Sequence, residues 1–240
     1  MKVVLWCFSS VAVRAARVLA ADPDVSEIGI VSDSGQTPHE YRAVSPSDLA
    51  SWDVLATDGA LPPDEKLIPR WVVTTREADG KPSQPNQIVG ANIVSGIAGS
   101  LAALELARTD RKVRLAYTVS GAPLRRGEQL RFPSPVGTLY GRPPQGASLP
   151  SGLDRVWEAP THDQWAGVLV WRAQDGSPQR VLGVADDRGF LAAIALAAAT
   201  VAAGRGAYRS VPGYAFEAPA ALVEVAVGSG LTVASYSSED

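Results

Sequence analysis

The chain has 240 residues, of which 46% are hydrophobic and 20% charged, and its formal net charge is −3. That length and apolar content supply a sizeable core, for one large domain or two small ones, and exclude a wholly disordered chain. Slight acidity without a basic block argues against nucleic acid as the main partner; two histidines and one cysteine exclude an internal disulfide and argue against a zinc cage.

In chain order, residues 2–6 form a short apolar run suited to a strand buried on both faces. The strand begins so early that no room is expected for a targeting segment, and the lone thiol fits a reducing cytoplasm. Cys7, Phe8, Ser9 and Ser10 form a turn. Val11, Ala15, Val18 and Leu19 then recur at helical spacing, with Arg14 and Arg17 on the other side. Ser10 is the expected N-cap, and Asp22-Pro23 the stop. A second apolar strand over 27–31 leads to Asp33. Strand, tight turn, helix and strand make a βαβ opening of the dinucleotide-binding type. Its fingerprint asks for small residues at three places in the turn, and these fall on Cys7, Ser9 and Ala12, none of them glycine. The acid wanted about 20 positions beyond the glycine turn is matched by Asp33, placed to accept a ribose hydroxyl. Two readings stay open. In one, Cys7, Phe8, Ser9, Ser10 and Val11 face a cofactor's diphosphate. In the other, the scaffold has lost its nucleotide.

The polar stretch 34–46, which holds His39, reads as a loop, and 47–51 as one helical turn. Residues 53–59 form a third strand ending at Asp58-Gly59, 62–68 a short helix, and 71–75 a fourth, β-branched strand. Strands alternating with short helices predict a parallel sheet. Cys7, Asp33, Asp58 and Thr75 then share its carboxyl edge, where such sheets bind ligands. Asp58 is either a cofactor or substrate contact or a turn acid capping the segment that follows. The Gly- and Pro-punctuated stretch 77–86 reads as a linker. It divides a Rossmann-like domain, 1–90, from a second α+β domain, 91–236, whose C-terminal helix and strand are expected to pack back on the first.

The second half opens on a helix capped by Ser95, with Ile97, Leu101 and Leu104 on one stripe. Gly96, Gly99 and Ser100 make room there for a close neighbour or turn the helix start towards an anionic group. Strands follow over 113–119, 129–132, 137–140, 155–158, 167–172 and 180–184, and the last two form a hairpin around Asp175-Gly176. Lacking helices between them, they predict a mostly antiparallel or mixed sheet. Residues 190–203 are apolar nearly all round but too few to span a membrane, so they predict a buried core helix preceded by a capping Asp187. A last helix over 219–227 and a strand over 231–235 close the chain. The fold class is therefore α/β: a short Rossmann-like parallel sheet plus an α+β lobe with a mostly antiparallel or mixed sheet backed by helices.

Residues 2–33, 90–108, Arg125-Arg126-Gly127 with 132–137, and the late Ala-rich helix with Gly213 and Pro219 after it occur in an order that resembles the saccharopine-dehydrogenase-like oxidoreductases. The order is more loosely similar to homoserine dehydrogenase and dihydrodipicolinate reductase. The resemblance covers most of the chain. It implies a Rossmann lobe, a second lobe whose sheet faces the nicotinamide, and NAD(P)-dependent chemistry at carbon–nitrogen or carbonyl centres of amino-acid-like substrates. The chain departs from that family in its glycine-free turn and shorter first lobe.

Among residues able to assist such chemistry, His162 in a polar loop has the pKa range for proton transfer. Arg126 could hold a substrate carboxylate with its guanidinium fork. The readings that follow are an NAD(P)-dependent oxidoreductase for a small carboxylate-bearing substrate, with NAD favoured because Asp33 would repel a 2′-phosphate, or a non-catalytic Rossmann-like homologue serving as a dimeric binding or regulatory protein. Either would be a cytoplasmic homodimer joined through the second sheet, with no membrane or nucleic-acid partner.

Overall fold

A computed structural model describes residues 1–32, 40–59, 61, 65–76, 85–108, 113–119, 122–123, 129–131, 138–140, 165–174, 177–209 and 212–237. The strands predicted over 155–158 and the loops holding Asp33, His39, Arg126 and His162 lie outside the described residues.

The first sheet is built from β1 (Lys2–Cys7), β2 (Glu27–Ser32), β3 (Arg42–Ala43), β4 (Val54–Thr57), β5 (Trp71–Thr74) and β6 (Gln87–Val89). Its spatial order is β3-β2-β1-β4-β5-β6, every pair parallel. This is the doubly-wound order of a dinucleotide-binding sheet, with the switch point between β1 and β4. Successive side chains of β1 serve opposite faces. Val3 and Leu5 pack under α1 (Ser10–Ala20) with Ala12, Ala15, Ala16 and Leu19, whereas Val4 joins Leu49, Trp52, Leu55 and Val72 on the other face. A 3₁₀ turn over Pro46–Ser51 covers that second face. Gly29 in β2 has no side chain because a Cβ there would lie 2.5 Å from the Trp52 ring.

After β6 the chain makes π-helical turns over Ile93–Ala98 and continues as α2 (Gly99–Ala107). The glycines in this stretch permit tight packing, as expected. A Cβ on Gly99 would lie 3.1 Å from the Phe216 Cβ, and one on Gly96 3.5 Å from the Ala195 Cβ. The cap, however, is Asn92 and not Ser95. The Asn92 Oδ1 accepts the Val94 and Ser95 N–H groups, each at 2.8 Å.

The second sheet is mixed. It comprises β7 (Val113–Val119), β8 (Ala122–Pro123), β9 (Gln129–Arg131), β10 (Thr138–Tyr140), β11 (Trp165–Gln174) and β12 (Ser177–Asp187), with β7 and β10 parallel and the other pairs antiparallel. β11 and β12 form the expected hairpin, longer than the apolar pattern alone indicates. Asp187 then caps α3 (Arg188–Gly204) by accepting the Phe190 N–H at 2.9 Å. Helix α3 is apolar all round because it is covered all round: it packs on α1, β4 and β5 of the first sheet and on β11 and β12 of the second. No helix among the described residues is long and apolar enough to cross a membrane.

The chain then adds β13 (Gly213–Tyr214) beside β6, a seventh parallel strand that supplements the short first sheet. Helix α4 (Pro219–Gly228) packs against α2 and α3. The final strand, β14 (Ala234–Ser237), does not return to the first sheet. It pairs antiparallel with β12 at the edge of the second, while β13 borders β6 in the first.

Candidate functional site

The carboxyl ends of β1, β4, β5 and β6 bring together Phe8 and Ser9, Asp58 and Gly59, Thr75, and Gly90 to Asn92. The edge is cross-tied by backbone: the Thr75 N–H donates to the Thr57 carbonyl at 3.2 Å and the Ala91 N–H to the Thr74 carbonyl at 2.9 Å. Asn92 adds its Nδ2, which donates to the Thr75 carbonyl at 3.0 Å. Sequence reasoning passed over Asn92; its signal was an asparagine standing immediately before an apolar run.

At the opening turn, Ser9 and not Ser10 caps α1. Ser9 is extended (φ −142°, ψ 176°), and its hydroxyl oxygen accepts the Val11 N–H at 3.1 Å. Ser10 is the exposed first residue of the helix. The N–H groups of Phe8, Ser9 and Ala12 converge on a single point, and the Asp58 carboxylate sits there. It accepts Phe8 N–H at 2.8 Å, Ser9 N–H at 3.1 Å and Ala12 N–H at 3.3 Å, and it also accepts a hydrogen bond from the Ser9 hydroxyl. It reaches across the switch point to the start of α1, where backbone donors and the helix dipole favour negative charge.

Phe8 leaves that point clear. Its ring lies over Gly59, where a Cβ would strike it, and stacks with Trp6 at a centroid distance of 6.0 Å and an interplanar angle of 16°. The Gly59 N–H is held by the Thr57 Oγ1 at 3.1 Å, which fixes the loop that carries Asp58. Cys7 faces inward. Burial, with the Asp58 charge adding to it, pushes its thiol up to about 12, so it remains a neutral thiol at physiological pH. Val11 is half-buried at the top of α1. Asp33, which follows β2 in sequence, and Arg126 and His162 lie outside the described residues.

The turn thus has the donor geometry of an anion site without the glycines. The residues present do not accept a dinucleotide's diphosphate while Asp58 is seated, because one set of N–H groups cannot serve two anions at once.

No family model matches the chain, and no curated protein does. Solved structures match it over nearly its whole length. Apo saccharopine dehydrogenase (L-Glu forming) from Saccharomyces cerevisiae superposes with a TM-score of 0.58 at 11% identity, covering 98% of this chain and 100% of that one. DAP dehydrogenase from C. glutamicum, in complex with DAP, gives 0.52 at 13% identity, covering 92% and 95%. An engineered D-amino acid dehydrogenase bound to NADP+ gives 0.50 at 13% identity, with the same coverage. At such identities the likeness is one of fold. The fold is the two-lobed, Rossmann-type architecture implied by the resemblance to the saccharopine-dehydrogenase-like proteins.

Proposed function

We propose that the chain is an NAD(P)-dependent oxidoreductase acting on a small, carboxylate-bearing, amino-acid-like substrate. The observation that carries this reading is the convergence of the Phe8, Ser9 and Ala12 N–H groups on one negatively charged group at the switch point of a Rossmann-ordered sheet. The turn keeps the donor geometry of the fingerprint while lacking its letters. The fold neighbours point the same way: one was solved with NADP+ and another with DAP.

In this reading the turn residues Cys7, Phe8, Ser9, Ser10 and Val11 lie along the cofactor. Asp58 belongs to the same site, and Asp33 holds the adenosine ribose, which favours NAD. Arg126 holds the substrate carboxylate and His162 moves the proton. The cofactor supplies the redox chemistry; the chain supplies position and charge. A cytoplasmic location is supported by the single cysteine, Cys7, which leaves no internal disulfide to form.

A homodimer through the second sheet is supported by strand register. Val168, Val170, Leu182 and Val184 bury one face of β11 and β12 against the helices, which leaves the other face of the sheet for a second copy.

The second reading, a non-catalytic homologue, is favoured by one observation: Asp58 already occupies the anion position. Calorimetric titration with NADH and NADPH decides between the two. Saturable heat with either cofactor supports the oxidoreductase; none at millimolar cofactor supports the homologue.

A further inference from the structure

We infer that Asp58 is an internal stand-in for the cofactor's diphosphate and that it sets how tightly a dinucleotide binds; this rests on the oxidoreductase reading above. Four donors meet on its carboxylate, three of them the backbone N–H groups of the β1–α1 turn and its first helical residues and the fourth the Ser9 hydroxyl. Those N–H groups, at the N-terminus of the first helix, are the ones a Rossmann turn directs at a diphosphate. A carboxylate and a phosphate oxygen accept from such donors in the same way and carry the same sign of charge, so one must leave before the other enters.

Asp58 competes with the advantage of attachment. It is delivered from the end of β4, one strand away across the switch point, on a loop fixed by Thr57 and covered by the Phe8 ring. A tethered group of this kind acts at a local concentration far above that of free cofactor. Where other turns of this type place glycines to admit the diphosphate, this chain has filled the space from the opposite strand. Asp58 is thus a residue that tunes cofactor affinity, and its removal strengthens binding.

The test is calorimetric titration of inorganic pyrophosphate and, separately, of NADH into the wild-type, Asp58→Asn and Asp58→Ala chains, with circular dichroism verifying that each is folded. Asp58→Ala is expected to bind both at least about tenfold more tightly than wild type, the equivalent of regaining one charge-assisted hydrogen bond, with Asp58→Asn between them. A gain for pyrophosphate with no NADH binding to any chain supports the role of Asp58 and overturns the oxidoreductase reading. NADH binding of equal affinity in all three overturns the role of Asp58 and leaves that reading standing. No gain for either ligand also overturns the role of Asp58. If Asp58→Ala does not fold, Asp58→Asn carries the same comparison.

Discussion

The Asp58 carboxylate accepts the backbone N–H of Phe8 at 2.8 Å, joining positions 50 residues apart in the chain. Ser9 completes the junction, since its hydroxyl donates to Asp58 while its oxygen accepts the Val11 N–H. One side chain therefore caps α1 and ties β1 to β4. Ser9→Ala is expected to lower unfolding free energy by about 1 kcal/mol, the usual cost of a lost N-cap. Ser10→Ala, exposed and without a capping role, should change it little. Urea denaturation of the two variants measures the contrast.

Two glycines with positive φ separate backbone strain from crowding. Gly90 (φ +73°) lies where a Cβ would come within 2.7 Å of the Ser95 Cβ, whereas Gly206 (φ +70°) has nothing within 4 Å. Gly206→Ala should cost only the left-handed backbone penalty, about 1–2 kcal/mol. Gly90→Ala adds a steric clash and should cost more, which thermal unfolding of both variants will show.

Glu105 of α2 meets Arg180 of β12 at 3.1 Å, with the Glu105 side chain 1% exposed. The pair fastens the second sheet to the helices. Glu105→Ala leaves the half-buried arginine without its countercharge and should destabilise by about 3–5 kcal/mol. Ser100, in the same helix, buries a hydroxyl that makes no hydrogen bond among the described residues. Ser100→Ala should therefore be neutral or stabilising. Denaturant midpoints of the two variants should shift in opposite senses or by very different amounts.

Asp187 carries a pH dependence. Burial raises its carboxyl, but the Phe190 N–H, the Arg14 guanidinium at 2.6 Å and the Gly189 N–H outweigh burial and hold it below the ordinary carboxylate value. A carboxyl depressed in the folded state contributes stability that is fully present above its unfolded pKa and is lost as pH falls through the folded one. Wild type should exceed Asp187→Asn in melting temperature at neutral pH. That difference should shrink as pH drops below the usual carboxylate range and vanish in strong acid.

Much of this fold was legible because the long elements follow one dominant period. The β1-turn-α1-β2 opening, the β11–β12 hairpin and the all-apolar α3 each announce themselves in hydrophobic pattern. The strands missed, Arg42–Ala43, Gln87–Val89, Ala122–Pro123 and Gly213–Tyr214, are two or three residues long. They exist through pairing with neighbours and not through any pattern of their own. Both misplaced caps, Ser10 for Ser9 and Ser95 for Asn92, came from choosing among cap-forming side chains within one turn of each other, where backbone angles decide and sequence is silent. At the site, the turn and Asp58 were both found, but their meeting was not. That contact depends on β4 lying beside β1, a fact of topology and not of spacing.

The most direct test is two-dimensional NMR of the nitrogen-15-labelled wild-type chain titrated with NADH, following the backbone amides of Phe8, Ser9 and Ala12. These three resonances are expected to move together and saturate as the diphosphate replaces the Asp58 carboxylate. Amides that stay in place at millimolar NADH would contradict this exchange.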